Sequence, residues 1–256
     1  MQVEELTNPQ MEETPAWAAA EKIGREKALE ETRAFIGHEI KSAIGPLKGF
    51  AQLLNETLAQ LDPNRDKLVK YAQKIIKQSD MAYEVVNRYL DYTRPLTPTP
   101  RRADINQMLL ESLNEVRTEC ARHNIEISSQ FGPTAEVHID DELMAQALRN
   151  ILQNAIEAME GGGKLTLATR RENNHMLITI SDTGTGIKPE HLSRIFELGF
   201  TTKLGKHGAG VGLALVRRVV EETHNGRVTI MNNPSGIGVI VTIMLPLAKK
   251  ETSDGK

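Results

Sequence analysis

Four groups of residues in this sequence combine types and spacings that could do chemistry. His38 lies two residues past Ile36, off the apolar stripe of a helical segment. Its imidazole therefore faces water, and with an ordinary pKa of about 6.5 it is available as a nucleophile at physiological pH. Asn150 and Asn154 stand four apart in a helical pattern, so both amides project from one face, among Leu148, Ile151, Leu152 and Ala155. Asp182 ends a strand row of Met176, Ile178 and Ile180. A carboxylate there is costly without a hydrogen-bond donor, and the adenine amino group is one such donor. Gly184 and Gly186 then let the backbone turn closely beneath a base. Gly208, Gly210 and Gly212 alternate at the start of another helix, where amides and the helix N-terminus favour a polyphosphate. Singly, each group also reads as something plain: an idle surface histidine, two solvated amides, a turn aspartate, a glycine-rich loop. Their order and spacing along one chain give them weight.

The elements that must carry these groups follow from periodicity. Leu29, Ile36, Ala43, Phe50 and Thr57 alternate with Arg33, Ile40, Leu47, Leu54 and Leu61 at three- and four-residue steps. Asp62-Pro63-Asn64 breaks the pattern. A second helix carries Leu68, Ala72, Ile75, Ser79, Ala82, Val86 and Tyr89. Two such helices expose too much apolar surface to stand alone, and pairing two copies into a four-helix bundle would bury it. The run from Pro95 to Arg102, with Pro95, Pro98 and Pro100, is a stiff linker. Beyond it the patterns predict helices at about 104–122, 141–159 and 210–222. Strands are predicted at about 125–130, 136–139, 164–171, 175–182, 227–232 and 237–245. The expected fold is therefore a helical hairpin followed by an α/β domain with one sheet covered by helices. Its boundaries are a disordered 1–15, a hairpin at 16–94, a linker at 95–102, an α/β domain at 103–248 and a disordered 249–256.

The 256 residues are 39% hydrophobic and 25% charged, with net charge −3. That is ordinary for a globular chain and gives no footing for non-specific nucleic-acid binding. One cysteine, Cys120, excludes an internal disulfide framework. No run of about 18 apolar residues is present, and the acidic N-terminus lacks the order of a signal peptide. The expectation is a cytoplasmic protein, or the cytoplasmic portion of a membrane-bound one. His123, His138, His175, His191 and His224 show no metal-ligand spacing.

Phe35-Ile36-Gly37-His38-Glu39-Ile40-Lys41-Ser42 resembles the phospho-acceptor motif of bacterial sensor histidine kinases. Asn150–Ala158 resembles the family's asparagine box, Asp182–Ile187 its first glycine box, Ile195–Lys203 its phenylalanine box and lid, and Gly208–Leu213 its second glycine box. The resemblance implies a dimerising phosphotransfer hairpin joined to a GHKL-type ATP-binding α/β sandwich. It implies autophosphorylation of His38 from ATP, with Glu39 assisting proton removal. A nucleotide set of Asn150, Asn154, Asp182, Gly184, Gly186, Thr201, Thr202, Lys203, Gly208, Gly210, Gly212 and Leu213 comes with it, and Mg2+ on Asn154. It further implies transfer of the phosphoryl group to an aspartate on a response-regulator receiver domain. Phe196 and Phe200 would anchor the lid, and His207 would help hold it or face solvent. Three departures stand out. Ala43 replaces the family's proline, with Pro46 three residues on; Ser42 replaces Thr or Asn, the residue that positions water for dephosphorylating the partner; and Val239 replaces the threonine of Gly-x-Gly-Thr. These motivate an alternative, a degenerate kinase acting mainly as a phosphatase or scaffold. The Val239 change predicts a modest loss of ATP affinity.

Overall fold

The computed structural model describes residues 37, 40, 41, 44–60, 64–133, 135–202 and 210–248. Helix α1 covers 44–58, and α2 runs from Arg65 to Thr93. Asn64 starts α2 by accepting a hydrogen bond from the Lys67 amide at 3.0 Å, the ordinary work of an N-cap asparagine. The stripe expected from periodicity is the less exposed one: Ile40, Leu47, Phe50, Leu54 and Thr57 on the first helix, and Leu68, Ala72, Ile75, Ala82, Val86 and Tyr89 on the second. Ser79 departs from it and is exposed. Lys74 Nζ sits 4.8 Å from the centre of the Phe50 ring, joining the two helices.

A second stripe escaped the sequence reading. Val69, Ile76, Tyr83 and Leu90 recur every seven residues along α2 and remain 47–69% exposed. On α1, Ile44, Leu53 and Leu58 are also exposed. The hairpin thus uses one apolar stripe internally and presents another outward.

The α/β part contains β1 (Arg101–Asp104), α3 (Ile105–Arg122), β2 (Ile125–Phe131), β3 (Glu136–Ile139), α4 (Asp141–Glu157), β4 (Gly163–Glu172) and β5 (His175–Ser181). It continues through α5 (Gly212–Arg217), a π-helical turn (Arg218–Thr223), β6 (Arg227–Asn232) and β7 (Val239–Pro246). Two sheets form where one was expected. The main sheet has the order β2-β4-β5-β7-β6, with β2–β4 parallel and its other pairs antiparallel. The strand at 136–139 leaves it and pairs antiparallel with β1. Arg101 and Arg102 are therefore not linker but the first half of β1, in register with Ile139 and His138. The expected helix at 210–222 is also divided: its second half widens into the π-helical turn. The predicted segments 1–15 and 249–256 lie outside the described residues.

Alternation fixes which face of the main sheet is buried. Leu165, Leu167, Met176, Ile178, Ile180, Ile243 and Leu245 point under α3 and α4 and are at most 2% exposed. Leu109, Met144, Leu148, Ile151 and Leu152 meet them from the helices. Each such side chain contributes about 1.5–3 kcal/mol by leaving water. This packing holds α4 across β5, which brings Asn150 and Asn154 toward the loop after Asp182.

Candidate nucleotide site

Asp182 ends the buried row formed by Met176, Ile178 and Ile180, and is itself 5% exposed. Its Oδ1 accepts from the Gly184 amide at 2.9 Å and the Val239 amide at 3.2 Å. Among the described residues Oδ2 has no partner, which leaves it to accept from a ligand. Burial pushes the carboxyl above its ordinary value of 3.8, against the pull of those two amides. The backbone of Asp182 also donates to Val239 O at 3.0 Å.

Val239 thus holds Asp182 with its main chain, while its side chain turns into the core. The substitution that suggested a weakened site leaves these two bonds in place. Gly238 explains why they can form. Its φ is +84°, and a Cβ there would lie 1.9 Å from Asp182 O. Gly184 is also close-packed, since a Cβ would come within 2.7 Å of Ala158. These two glycines leave a backbone-lined cradle beside Asp182. Gly186 turns with φ +74°, as a close turn beneath a base requires.

Helix α4 is built to carry its asparagines rigidly. Asp140 caps it, accepting from Leu143 N at 3.0 Å with Oδ1 and from Thr99 N at 2.8 Å with Oδ2. Asp141 and Glu142 occupy the first turn, where negative charge suits the helix dipole. Asn150 donates to Gln146 O at 3.1 Å, and its Oδ1 lies against Gly212: a Cβ on that glycine would approach it to 3.0 Å. Asn150 therefore touches the start of α5, and Asn154 follows one turn later on α4, half-buried. Ala158 O, at the end of α4, accepts from Thr185 N at 3.3 Å and ties helix to loop.

The lid's two ends are joined at the backbone. Gly199 N donates to Gly210 O at 2.9 Å, and a Cβ on Gly210 would strike the Gly199 carbonyl carbon at 2.4 Å. Phe200 packs beside His191, ring centres 5.3 Å apart, under the Arg194 guanidinium. Phe196 lies under Arg217. Thr201 is half-buried, Thr202 is exposed, and Leu213 packs against the core. Lys203, His207 and Gly208 lie outside the described residues, as do His38, Glu39, Ser42 and Ala43. Of the nucleotide set, Asn150 lies against Gly212 and Asp182 bonds Gly184, and Gly184 packs on the end of α4, the helix that carries Asn154. Gly238 and Asn232 lie against the Asp182–Ile187 loop and were not singled out as site residues.

The segment read as a stiff linker is anchored on the α/β part. Thr99 bonds Asp140 through N–H and Oγ1. Leu96 and Tyr92 pack against the α/β core. The Arg218 guanidinium lies 4.9 Å from the centre of the Tyr92 ring and donates to Tyr92 O. Asp140 N donates to His224 Nε2 at 2.8 Å, and His224 Nδ1 pairs with Val219 O at 2.6 Å. Linker, cap and π-helical turn meet at that buried junction.

Residues 139–249 match the family of histidine kinase-, DNA gyrase B- and HSP90-like ATPases. The chain is similar to the signal transduction histidine-protein kinase AtoS of Escherichia coli, 29% identical over 90% of this chain and 36% of AtoS. It is also similar to the sensor histidine kinase ZraS of Salmonella typhi, 29% identical over 88% of this chain and 47% of ZraS. It thus spans between a third and a half of the length of these relatives. The nucleotide-free catalytic domain of the histidine kinase ThkA superposes with a TM-score of 0.53 at 25% identity, covering 58% of this chain and 95% of that domain. ThkA solved with the response regulator protein TrrA shares the fold over 93% of this chain and 68% of that one, with a TM-score of 0.71 at 21% identity.

Proposed function

We propose that this chain, the catalytic core of a bacterial sensor histidine kinase, transfers the γ-phosphoryl group of ATP to His38 and passes it to an aspartate on a response-regulator receiver domain. The observation that carries the reading is the Asp182 carboxylate. It is buried, its Oδ1 is tied to backbone amides, and Oδ2 remains to accept from the adenine amino group. Beside it lie a glycine-lined cradle and the asparagines of α4. The ATP-binding fold supports ATP as the substrate. Asn154 would hold a magnesium ion, whose charge offsets that of the phosphates.

The chain's own residues then have distinct tasks. Asp182, with Gly184 and Gly186, orients the base. Asn150 supports the start of α5, whose Gly210 and Gly212 bring amides toward the phosphates, while Thr201, Thr202, Lys203, Gly208 and Leu213 complete the lid. Glu39 takes the proton from one ring nitrogen of His38 as the other attacks phosphorus. Ser42 would orient water when the regulator is dephosphorylated. Positioning and electrostatics dominate such a transfer, so the fold's contribution is to present His38 in line with the bound phosphate. Two copies pair through the outward stripe of Val69, Ile76, Tyr83 and Leu90. Among the described residues no helix is long and apolar enough to cross a membrane, and dependence on ATP assigns the reaction to the cytoplasmic side.

A mainly phosphatase or scaffolding role rests in part on Val239, whose main chain still holds Asp182 although its side chain offers no hydroxyl. The test uses γ-labelled ATP. Acid-labile, base-stable label on the native chain, absent from His38→Ala and transferable to a receiver domain, is expected. Label that persists on His38→Ala refutes the assignment.

A further inference from the structure

We infer that Asn232 is a positioning residue for base recognition, clamping the far end of the loop that begins at Asp182. The inference rests on the reading of that loop as the adenine-binding segment. Asn232 ends β6 and stands opposite Val239 in the β6–β7 ladder. Its Oδ1 accepts from Ile187 N at 2.8 Å, and its Nδ2 donates to Ile187 O at 2.7 Å. One amide side chain thereby satisfies both polar groups of one residue, as a neighbouring strand would. A carboxamide is the side chain that offers this coplanar donor and acceptor at this length. Aspartate would set an oxygen against Ile187 O, and alanine would leave both groups unpaired.

The position matters because of what lies at the loop's other end. Asp182 is held by Val239, the cross-strand partner of Asn232. The β6–β7 pair therefore grips the loop twice, at Asp182 through main chain and at Ile187 through side chain. Between these grips Gly186 turns with φ +74°, and a Cβ on it would lie 3.3 Å from Asn232 Oδ1. The clamp fixes the path of the glycine turn, and with it the distance from the turn to the Asp182 carboxylate. Both polar atoms of Asn232 already serve Ile187, so its effect on a nucleotide passes through the loop.

The experiment titrates a fluorescent ATP analogue into the chain and its variants, with ATP and ITP as competitors; ITP lacks the exocyclic amine that Asp182 would accept from. Loss of both clamp bonds in Asn232→Ala, or of the Nδ2 bond with an oxygen set against Ile187 O in the isosteric Asn232→Asp, is expected to weaken ATP by about tenfold. The preference for ATP over ITP should shrink in step, and the far-ultraviolet spectrum should remain native. Asn232→Asp decides the matter if the alanine variant does not fold. Native ATP affinity and base preference in the Asn232 variants, alongside their loss in Asp182→Asn, overturns the clamp alone. Equal weakening of ATP and ITP assigns Asn232 to general stability and overturns it too. Native ATP affinity in Asp182→Asn overturns the adenine reading itself, and the clamp's role falls with it.

Discussion

Gly236 and Gly238 offer a paired perturbation in which one position is the control for the other. Both have positive φ, +90° and +84°, so alanine at either incurs backbone strain of roughly 1–3 kcal/mol. They differ in surroundings. A Cβ on Gly236 meets nothing within 4 Å, whereas one on Gly238 lies 1.9 Å from Asp182 O and 2.6 Å from Asp182 C. Real Cβ contacts are essentially never closer than 3.0 Å, so Gly238→Ala must push the Asp182 backbone away by more than 1 Å. That displacement breaks both bonds with Val239, each contributing about 1 kcal/mol. It also moves the carboxylate from its place against the base. An extra loss near 2–3 kcal/mol in nucleotide binding corresponds to about 30- to 150-fold weaker affinity. Titration with a fluorescent ATP analogue, together with thermal melts, should therefore show a small deficit for Gly236→Ala and affinity about 30- to 150-fold weaker for Gly238→Ala. Affinities within threefold of each other for the two variants would refute the cradle.

Two further perturbations separate the hairpin from the pocket. Ile76→Glu places a charge at the centre of the outward stripe on both copies. With about 1.5–3 kcal/mol per buried isoleucine at stake, the dimer should weaken by at least a hundredfold, read by light scattering across a dilution series. An unchanged dimer would show that another surface pairs the copies. Asp182→Asn should stabilise the nucleotide-free fold at neutral pH while abolishing ATP binding. Because burial raises the folded-state pKa above 3.8, the folded protein holds that proton more tightly. The associated stability is full below 3.8 and is lost as pH rises through the raised value. The native melting temperature should thus fall relative to the variant across that window; a pH-independent difference would contradict the direction of the shift.

The parts of the fold that were legible in sequence are those with a period. Met176, Ile178 and Ile180 announce a buried strand face, and a charge in the same phase identifies Asp182. The three- and four-residue steps through Ile40, Leu47, Phe50 and Leu54 identify the internal face of the hairpin. The seven-residue step through Val69, Ile76, Tyr83 and Leu90 was equally present in the sequence, but it competes with the internal stripe and includes a tyrosine. Strand β1 was missed because Arg101-Arg102-Ala103-Asp104 has no apolar alternation and owes its conformation to β3. The π-helical turn was missed because apolar spacing over two turns does not separate π from α. Gly238 and Asn232 act through contacts 56 and 45 residues away in sequence, and no local pattern reports such a contact.

Five residues, Arg94 to Pro98, join the end of α2 to Thr99, which is pinned on Asp140, and Leu96 among them already packs against the α/β core. At about 3.1 Å per residue for proline-rich chain, that tether reaches about 15 Å. A partner confined to so small a volume is present at an effective concentration in the millimolar range. In the proposed reaction, the α/β domain meets its own hairpins as though they were supplied at millimolar strength, whatever the abundance of the protein. On the proposed function, the shortness of the tether favours phosphoryl transfer within one assembly over transfer between separate ones.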